Sequence, residues 1–315
     1  MEYRPLGKTG LFVSRLCFGA LTVGPLQNRL SVAEGAAVIR RAVEAGVNFI
    51  ETAELYGTYE HIREGIRGVA GQVVLATRSY AHTGEGMQKS LELALRSLKR
   101  DWVDVFLLHE QESIFTIRGH WEAAEYLLKA KEKGLVRAIG ISTHSVEAVR
   151  AAALIPEFDV IQALINVAGI GIRGGGREEM RAAIREAHVL GKGLYGMKAL
   201  GGGHLLGSAE DAFRYVLAIE ELASCAVGMA SAAEVDFNVR FFEGRQITGE
   251  LRRAVARKER RLLVESWCTG CGRCAERCTA GALSVDSGKV RVERSLCRLC
   301  GYCGSVCPEF ALKIV

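Results

Sequence analysis

The chain has 315 residues, 49% hydrophobic and 24% charged, with Lys+Arg 41 against Asp+Glu 36 and 10 cysteines. That composition supports a large buried core and excludes a disordered chain. No apolar run reaches the roughly 18 residues of a membrane helix, and MEYRPLGKTG lacks an apolar core and a small-residue cleavage pattern, so a cytoplasmic protein without a membrane span is expected.

The first segment, EYRPLGKTGLFVSRL, reads as a hairpin around Lys8-Thr9-Gly10, placed to plug the bottom of a barrel. Short apolar runs then alternate with helix-length stretches. The runs are LCFGA, VNFIETA (47–53), VVLATR (73–78), VDVFLLH (103–109), RAIGISTH (137–144), VIQALIN (160–166), GLYGMKAL (193–200) and CAVGMAS (225–231). In the first helical stretch, SVAEGAAVIRRAVEAG, Val38, Ala42 and Val43 share a face and Gly46 is the natural stop. Nearly continuous apolar strands, each followed by a helix, predict parallel strands buried on both faces. The expected fold class is α/β: a TIM-type (β/α)8 barrel over residues 1–245 with chemistry at the C-terminal strand ends, joined to a small C-terminal α+β domain.

Residues 246–265 read as a basic helical connector carrying Arg252, Arg253, Arg257, Lys258, Arg260 and Arg261. From residue 251 onward there are 13 Lys+Arg and 6 Asp+Glu, net +7, which leaves net −2 for residues 1–250. The run lacks interleaved aromatics, so no nucleic-acid partner is expected. It suits an acidic electron carrier, a ferredoxin or flavodoxin, drawn in by electrostatic steering.

The tail, 266–315, holds Cys268, Cys271, Cys274 and Cys278, then Cys297, Cys300, Cys303 and Cys307-Pro308. The x2-x2-x3 spacing occurs twice, and in this pattern the fourth cysteine of each run ligates the other cluster. That predicts two [4Fe-4S] clusters, one on Cys268, Cys271, Cys274 and Cys307, the other on Cys297, Cys300, Cys303 and Cys278. A pair of zinc sites is the alternative; three cysteines within seven residues suit a cubane better than separated zinc knuckles. Over these residues the chain resembles bacterial-type dicluster ferredoxins, departing at Thr279, where Pro usually follows the fourth cysteine. Cys17 and Cys225 begin the first and last barrel strands and read as small buried core residues.

LGKTGLFVSRLCFGA, NFIETAELYG, DVFLLHE, AIGIST, GMKALGGG and GMASAAEVDFN, in order on the expected strand ends, resemble the aldo-keto reductase family over roughly residues 1–240. With the tail, the whole chain is similar to that family's ferredoxin-fused branch. The resemblance implies carbonyl reduction of a small-molecule substrate by a Tyr acid, a Lys that lowers its pKa, an Asp that holds the Lys, and a His that orients the carbonyl. Tyr56 and His109 match. Glu51 stands where the family has Asp, and Arg78 where it has Lys.

Glu and Arg preserve an opposite-charge pair, but a guanidinium stays charged and cannot relay a proton as an ammonium does. Three readings stay open: a retuned pocket, an Arg78 that binds an anionic group, or a purely structural ion pair. The resemblance also places NADP(H) against Ser231, Glu234 and Asn238, while His144, Asn166 and Lys198 are expected at the mouth to hold nicotinamide or substrate. The function expected is an iron-sulfur oxidoreductase acting on a carbonyl-type or related unsaturated substrate. The alternative is an electron-transfer adaptor whose barrel is a docking scaffold.

Overall fold

A computed structural model describes residues 1–256 and 260–315. The first two strands, β1 (Tyr3–Pro5) and β2 (Phe12–Ser14), form the expected antiparallel hairpin. Its Leu6, Leu11 and Val13 are buried with Cys17, Phe49, Val105 and Leu107 of the barrel interior, so the hairpin plugs the N-terminal end. The fit is close: at Gly7, with φ 57°, a Cβ would fall on the backbone of Gly193.

Eight parallel strands close the barrel in chain order: β3 (Leu16–Gly19), β4 (Phe49–Glu51), β5 (Val74–Ser79), β6 (Val103–Leu108), β7 (Val136–Thr143), β8 (Val160–Leu164), β9 (Gly193–Met197) and β10 (Ser224–Gly228). Ala226 of β10 pairs with Cys17 of β3 to complete the ring. Side chains alternate, which places chemistry. On β6, Val105 and Leu107 point inward while Phe106 and Leu108 face the helices. The same alternation sends Glu51 inward after Phe49, and Arg78 inward after Ala76. Cys17 and Cys225 are both buried, on opposite faces of the barrel wall.

Helices cover the outside. In Val32–Glu44, Ser31 accepts from the Glu34 N–H and the Glu34 carboxylate accepts from the Ser31 N–H, a reciprocal cap. Val38 and Ala42 are buried and Val43 packs beside them, and Gly46, at φ 91°, ends the helix as its position implies.

Residues 246–265 are not one helix. Gly249–Ala256 is helical and lays Leu251 and Val255 on the barrel's outer core. Arg257 and Lys258 lie outside the described residues. Beyond them Leu262–Val264 is a strand, β11, because its aliphatic run finds an antiparallel partner in the last strand, β14 (Leu312–Ile314). Between them lies a second hairpin, β12 (Leu283–Asp286) and β13 (Lys289–Val292). Each cysteine run enters a short helix, Arg273–Arg277 or Tyr302–Ser305, through a left-handed glycine, Gly272 at φ 82° and Gly301 at φ 80°.

The C-terminal unit sits on the C-terminal mouth of the barrel. Arg173 donates to Glu309 at 3.2 Å, and His204 Nε2 pairs with the Leu312 carbonyl at 2.8 Å. On the connector, Arg261 donates to the Gln27 carbonyl at 3.1 Å.

Candidate functional site

Four strands deliver one hydrogen-bonded group to the barrel mouth. Arg78, near the end of β5, is its hub. Its Nη1 donates to Glu51 and, at 2.8 Å, to Gln162 Oε1; its Nη2 donates to the Tyr56 hydroxyl at 2.6 Å; its Nε donates to His109 Nε2 at 3.1 Å. Glu51, Arg78, His109 and Gln162 are all buried. Tyr56 is aimed by the short turn Glu54–Tyr56, which is pinned where Glu54 accepts from Ser79 at 2.6 Å and Ser90 at 2.7 Å. Tyr80 stacks on His109, with ring centroids 4.1 Å apart, and its hydroxyl donates to Glu110 at 2.6 Å.

Charge in this pocket follows from burial and from Arg78. Burial disfavours a phenolate, and the nearby guanidinium offsets it only in part, so Tyr56 is pushed up to about 12. Burial and the same cation hold His109 well below the usual histidine range. A neutral His109 that accepts at Nε2 carries its proton on Nδ1, an atom with no hydrogen-bond partner among the described residues. For Arg78 burial opposes the charge, but Glu51, Tyr56 and Tyr195 together outweigh it and the guanidinium stays ionised.

The mouth opens into a cavity of about 570 Å³ whose floor includes Tyr56, Arg78 and His109 and whose roof includes Trp267, Phe310 and Lys313 of the C-terminal unit. His144 and Lys198 also line it, and they meet, Nζ to Nε2, at 2.9 Å. Asn166 does not reach it. Its amide is spent on its own loop, accepting from the Ala168 and Ile170 N–H groups and donating to the Ile170 carbonyl.

A second cavity of about 420 Å³ adjoins the first across Leu200, Leu206, Gly228, Glu234 and Arg260, and runs to Asn238, Arg214 and Arg252. Arg214 and Arg252 are paired there with Glu210 and Asp211, which leaves, among the described residues, Arg260 and the start of helix Ala232–Phe242 as the features of this path that suit a dinucleotide phosphate. Ser231 serves that helix as its N-cap, accepting from the Glu234 N–H at 3.2 Å, and the Glu234 carboxylate accepts from the Ala230 N–H at 2.7 Å. Glu234 and Asn238 therefore face the path, while Ser231 shapes it.

In the C-terminal unit, Cys268, Cys271, Cys274 and Cys307 line one cavity. Burial pushes the Cys303 thiol up to about 12, and the fields of Cys274, Cys297 and Cys300 act the same way, so bound iron rather than the protein's own field would hold it as thiolate. The two fourth cysteines are treated alike: Cys278 Sγ accepts from the Ala282 N–H at 3.3 Å and Cys307 Sγ from the Ala311 N–H at 3.2 Å. Among the described residues no three His, Cys, Asp or Glu gather tightly enough for a single metal ion. A cubane does not ask for that, since each thiolate binds a different iron.

Residues 15–216 match the Aldo/keto reductase family and residues 262–308 match the 4Fe-4S dicluster domain. The chain belongs to the aldo/keto reductase family. It is 29% identical to L-galactose dehydrogenase of Arabidopsis thaliana over 154 residues, 45% of this chain and 48% of that protein. It is 28% identical to an aldo-keto reductase of Bacillus subtilis over 163 residues, 47% of this chain and 48% of that one, so the match spans about half the length of each relative. A crystal structure assigned to the aldo-keto reductases, from Pseudomonas aeruginosa, superimposes with a TM-score of 0.67 at 26% identity over 77% of this chain and 95% of that one.

Against that family, the aldo/keto reductase barrel here has two participants that sequence reasoning missed. Gln162 is a lone polar residue inside VIQALIN; it shares the inward face with Val160 and Leu164 and meets Arg78. Tyr80 lies two residues beyond Arg78 and covers His109. A lone polar side chain within an apolar strand was the available signal for Gln162.

Proposed function

We propose that the barrel reduces or oxidises a small carbonyl-type or related unsaturated substrate with NADP(H), and that the C-terminal unit holds two [4Fe-4S] clusters serving as electron carriers. The observation that carries this reading is the Tyr56 hydroxyl on the cavity floor. It accepts from Arg78, so its own proton is free to face a substrate oxygen. When bound, the nicotinamide supplies hydride and the clusters supply single electrons.

The chain's own residues do the rest. Tyr56 donates its proton to the developing alkoxide, and Arg78 stabilises the resulting phenolate as a fixed charge. Glu51 and Gln162 hold Arg78 in place. The Tyr56 proton is then restored through solvent in the cavity, since the guanidinium cannot pass one on. Glu234 and Asn238 would border the dinucleotide, and Arg260 would supply a cation to its phosphates. Cys268, Cys271, Cys274 and Cys307 would ligate one cluster and Cys297, Cys300, Cys303 and Cys278 the other. An acidic ferredoxin or flavodoxin would dock near the basic C-terminal part.

One observation favours a second reading, an electron-transfer adaptor with a docking barrel: His109 spends Nε2 on Arg78 instead of facing a carbonyl. Steady-state oxidation of NADPH by a panel of neutral and carboxylate-bearing aldehydes separates the two. Carbonyl reduction requires turnover that falls by about 100-fold or more in Tyr56→Phe, the usual worth of a positioned acid. No turnover, or turnover indifferent to Tyr56→Phe, leaves the adaptor.

A further inference from the structure

A buried lysine and a half-buried one, from different units, meet at one aromatic ring in the cavity roof. Lys198 follows β9 in the barrel, and Lys313 is the middle residue of β14. Their Nζ atoms lie 4.7 Å and 3.1 Å from the centroid of the Phe310 ring. Both line the cavity whose floor holds Tyr56 and Arg78. Lys198 also adopts φ 61°, a left-handed conformation that a non-glycine residue holds only when its surroundings enforce it.

Neither ammonium has a carboxylate within ion-pair distance among the described residues. Lys198 is bonded to His144 Nε2, and Lys313 donates to the Phe310 carbonyl. Glu110 and Glu265 act on both from farther away and do not balance the burial: Lys198 is pushed down to about 8 and Lys313 well below the usual lysine range. His144 is held neutral by its own burial and by these cations. Burial therefore favours the neutral amines, and an anion bound in the cavity beside them would restore both charges.

We propose that Lys198 and Lys313 form an anion subsite in the cavity roof, which takes the carboxylate of an acidic substrate whose reacting group lies toward Tyr56. This rests on the reading of the mouth given above and narrows its substrate class to carbonyl or unsaturated acids. A phosphate of the dinucleotide is the other source of such an anion. It is the weaker fit, because the adjoining path has its own cation in Arg260, whereas Lys198 and Lys313 line only the cavity above Tyr56.

The test is calorimetric titration of the full-length, cluster-loaded protein with benzoate and with its neutral analogue benzamide, with and without saturating NADPH. One benzoate is expected to bind about tenfold or more tighter than benzamide, a margin lost in Lys198→Met and in Lys313→Met and kept with NADPH present. Equal affinity for the two ligands in the unaltered protein overturns the subsite without recourse to a variant. Expulsion of benzoate by NADPH assigns the cations to the dinucleotide and overturns it too. The readout is binding, so an inactive barrel that still prefers benzoate fails only the carbonyl reading, and an active barrel without the preference fails only the subsite.

Discussion

Arg78 uses all three guanidinium nitrogens on four partners, and that geometry explains why Glu51 and Arg78 occur together. A guanidinium fork reaches Glu51, Tyr56 and His109 at once, whereas an ammonium is a point donor. The pair is buried, with side-chain exposures of 3% and 7%, so removing one partner strands the other. Arg78→Met should lower barrel stability by about 3–5 kcal/mol, and Glu51→Gln should cost less because a neutral amide still accepts from Arg78. The double variant should cost well under the sum, since no charge is then left buried and unpaired. Thermal unfolding of the four proteins checks this; additive losses would mean that the two groups do not act as a pair. Tyr56, His109, Glu51 and Arg78 were legible through the family resemblance carried by NFIETAELYG, VVLATR and DVFLLHE, and the structure brings the four side chains together. Gln162 was not, because inward parity depends on a register that one strand's sequence leaves open.

Glycines decide how the C-terminal unit is seated on the mouth. Sequence alone leaves the role of the run 201–203 open, because glycine allows a tight approach and mobility equally. That role depends on a strand more than 100 residues later: a Cβ at Gly203, with φ 91°, would fall on the Ile314 carbonyl of β14. Gly203→Ala should therefore unseat β14 and loosen the unit without disturbing the barrel. Limited proteolysis between residues 246 and 265 should run several-fold faster in this variant. Gly207→Ala, where nothing lies within 4 Å of the added methyl, should behave as the unaltered protein. Equal rates in all three would remove the seating role. The barrel strands were legible for the opposite reason: each is a local apolar run bounded by its own helix. The strand β11 lay inside the expected helical connector because LLV has no periodicity of its own, and only pairing with β14 makes it a strand.

The whole molecule joins a barrel with an extensive core to a unit whose core is slight. In the C-terminal unit the buried apolar cluster comprises Leu262, Cys274, Leu283, Val290, Cys303, Leu312 and Ile314, and two of those seven are cysteines of the cluster motif. Roughly 50 residues with so little aliphatic burial fall near the size at which domains depend on metals or disulfides for stability. The charge division points the same way, since the excess cations from residue 251 onward repel one another and anionic iron-sulfur clusters would relieve that repulsion. Anoxic removal of iron should therefore release residues 262–315 to rapid amide exchange while β3–β10 keep their protection. The loss should extend into the barrel only where the roof rests on it. Gly203 and His204, packed against the Ile314 and Leu312 carbonyls, should gain exchange together with the cavity residue Lys198, and the buried wall residues Phe106 and Ile139 should not. Exchange mass spectrometry of the iron-free and iron-loaded chains resolves these segments. Unchanged protection of 262–315 would show that the unit folds without metal, and protection lost equally from barrel and tail would show that the two fold as one.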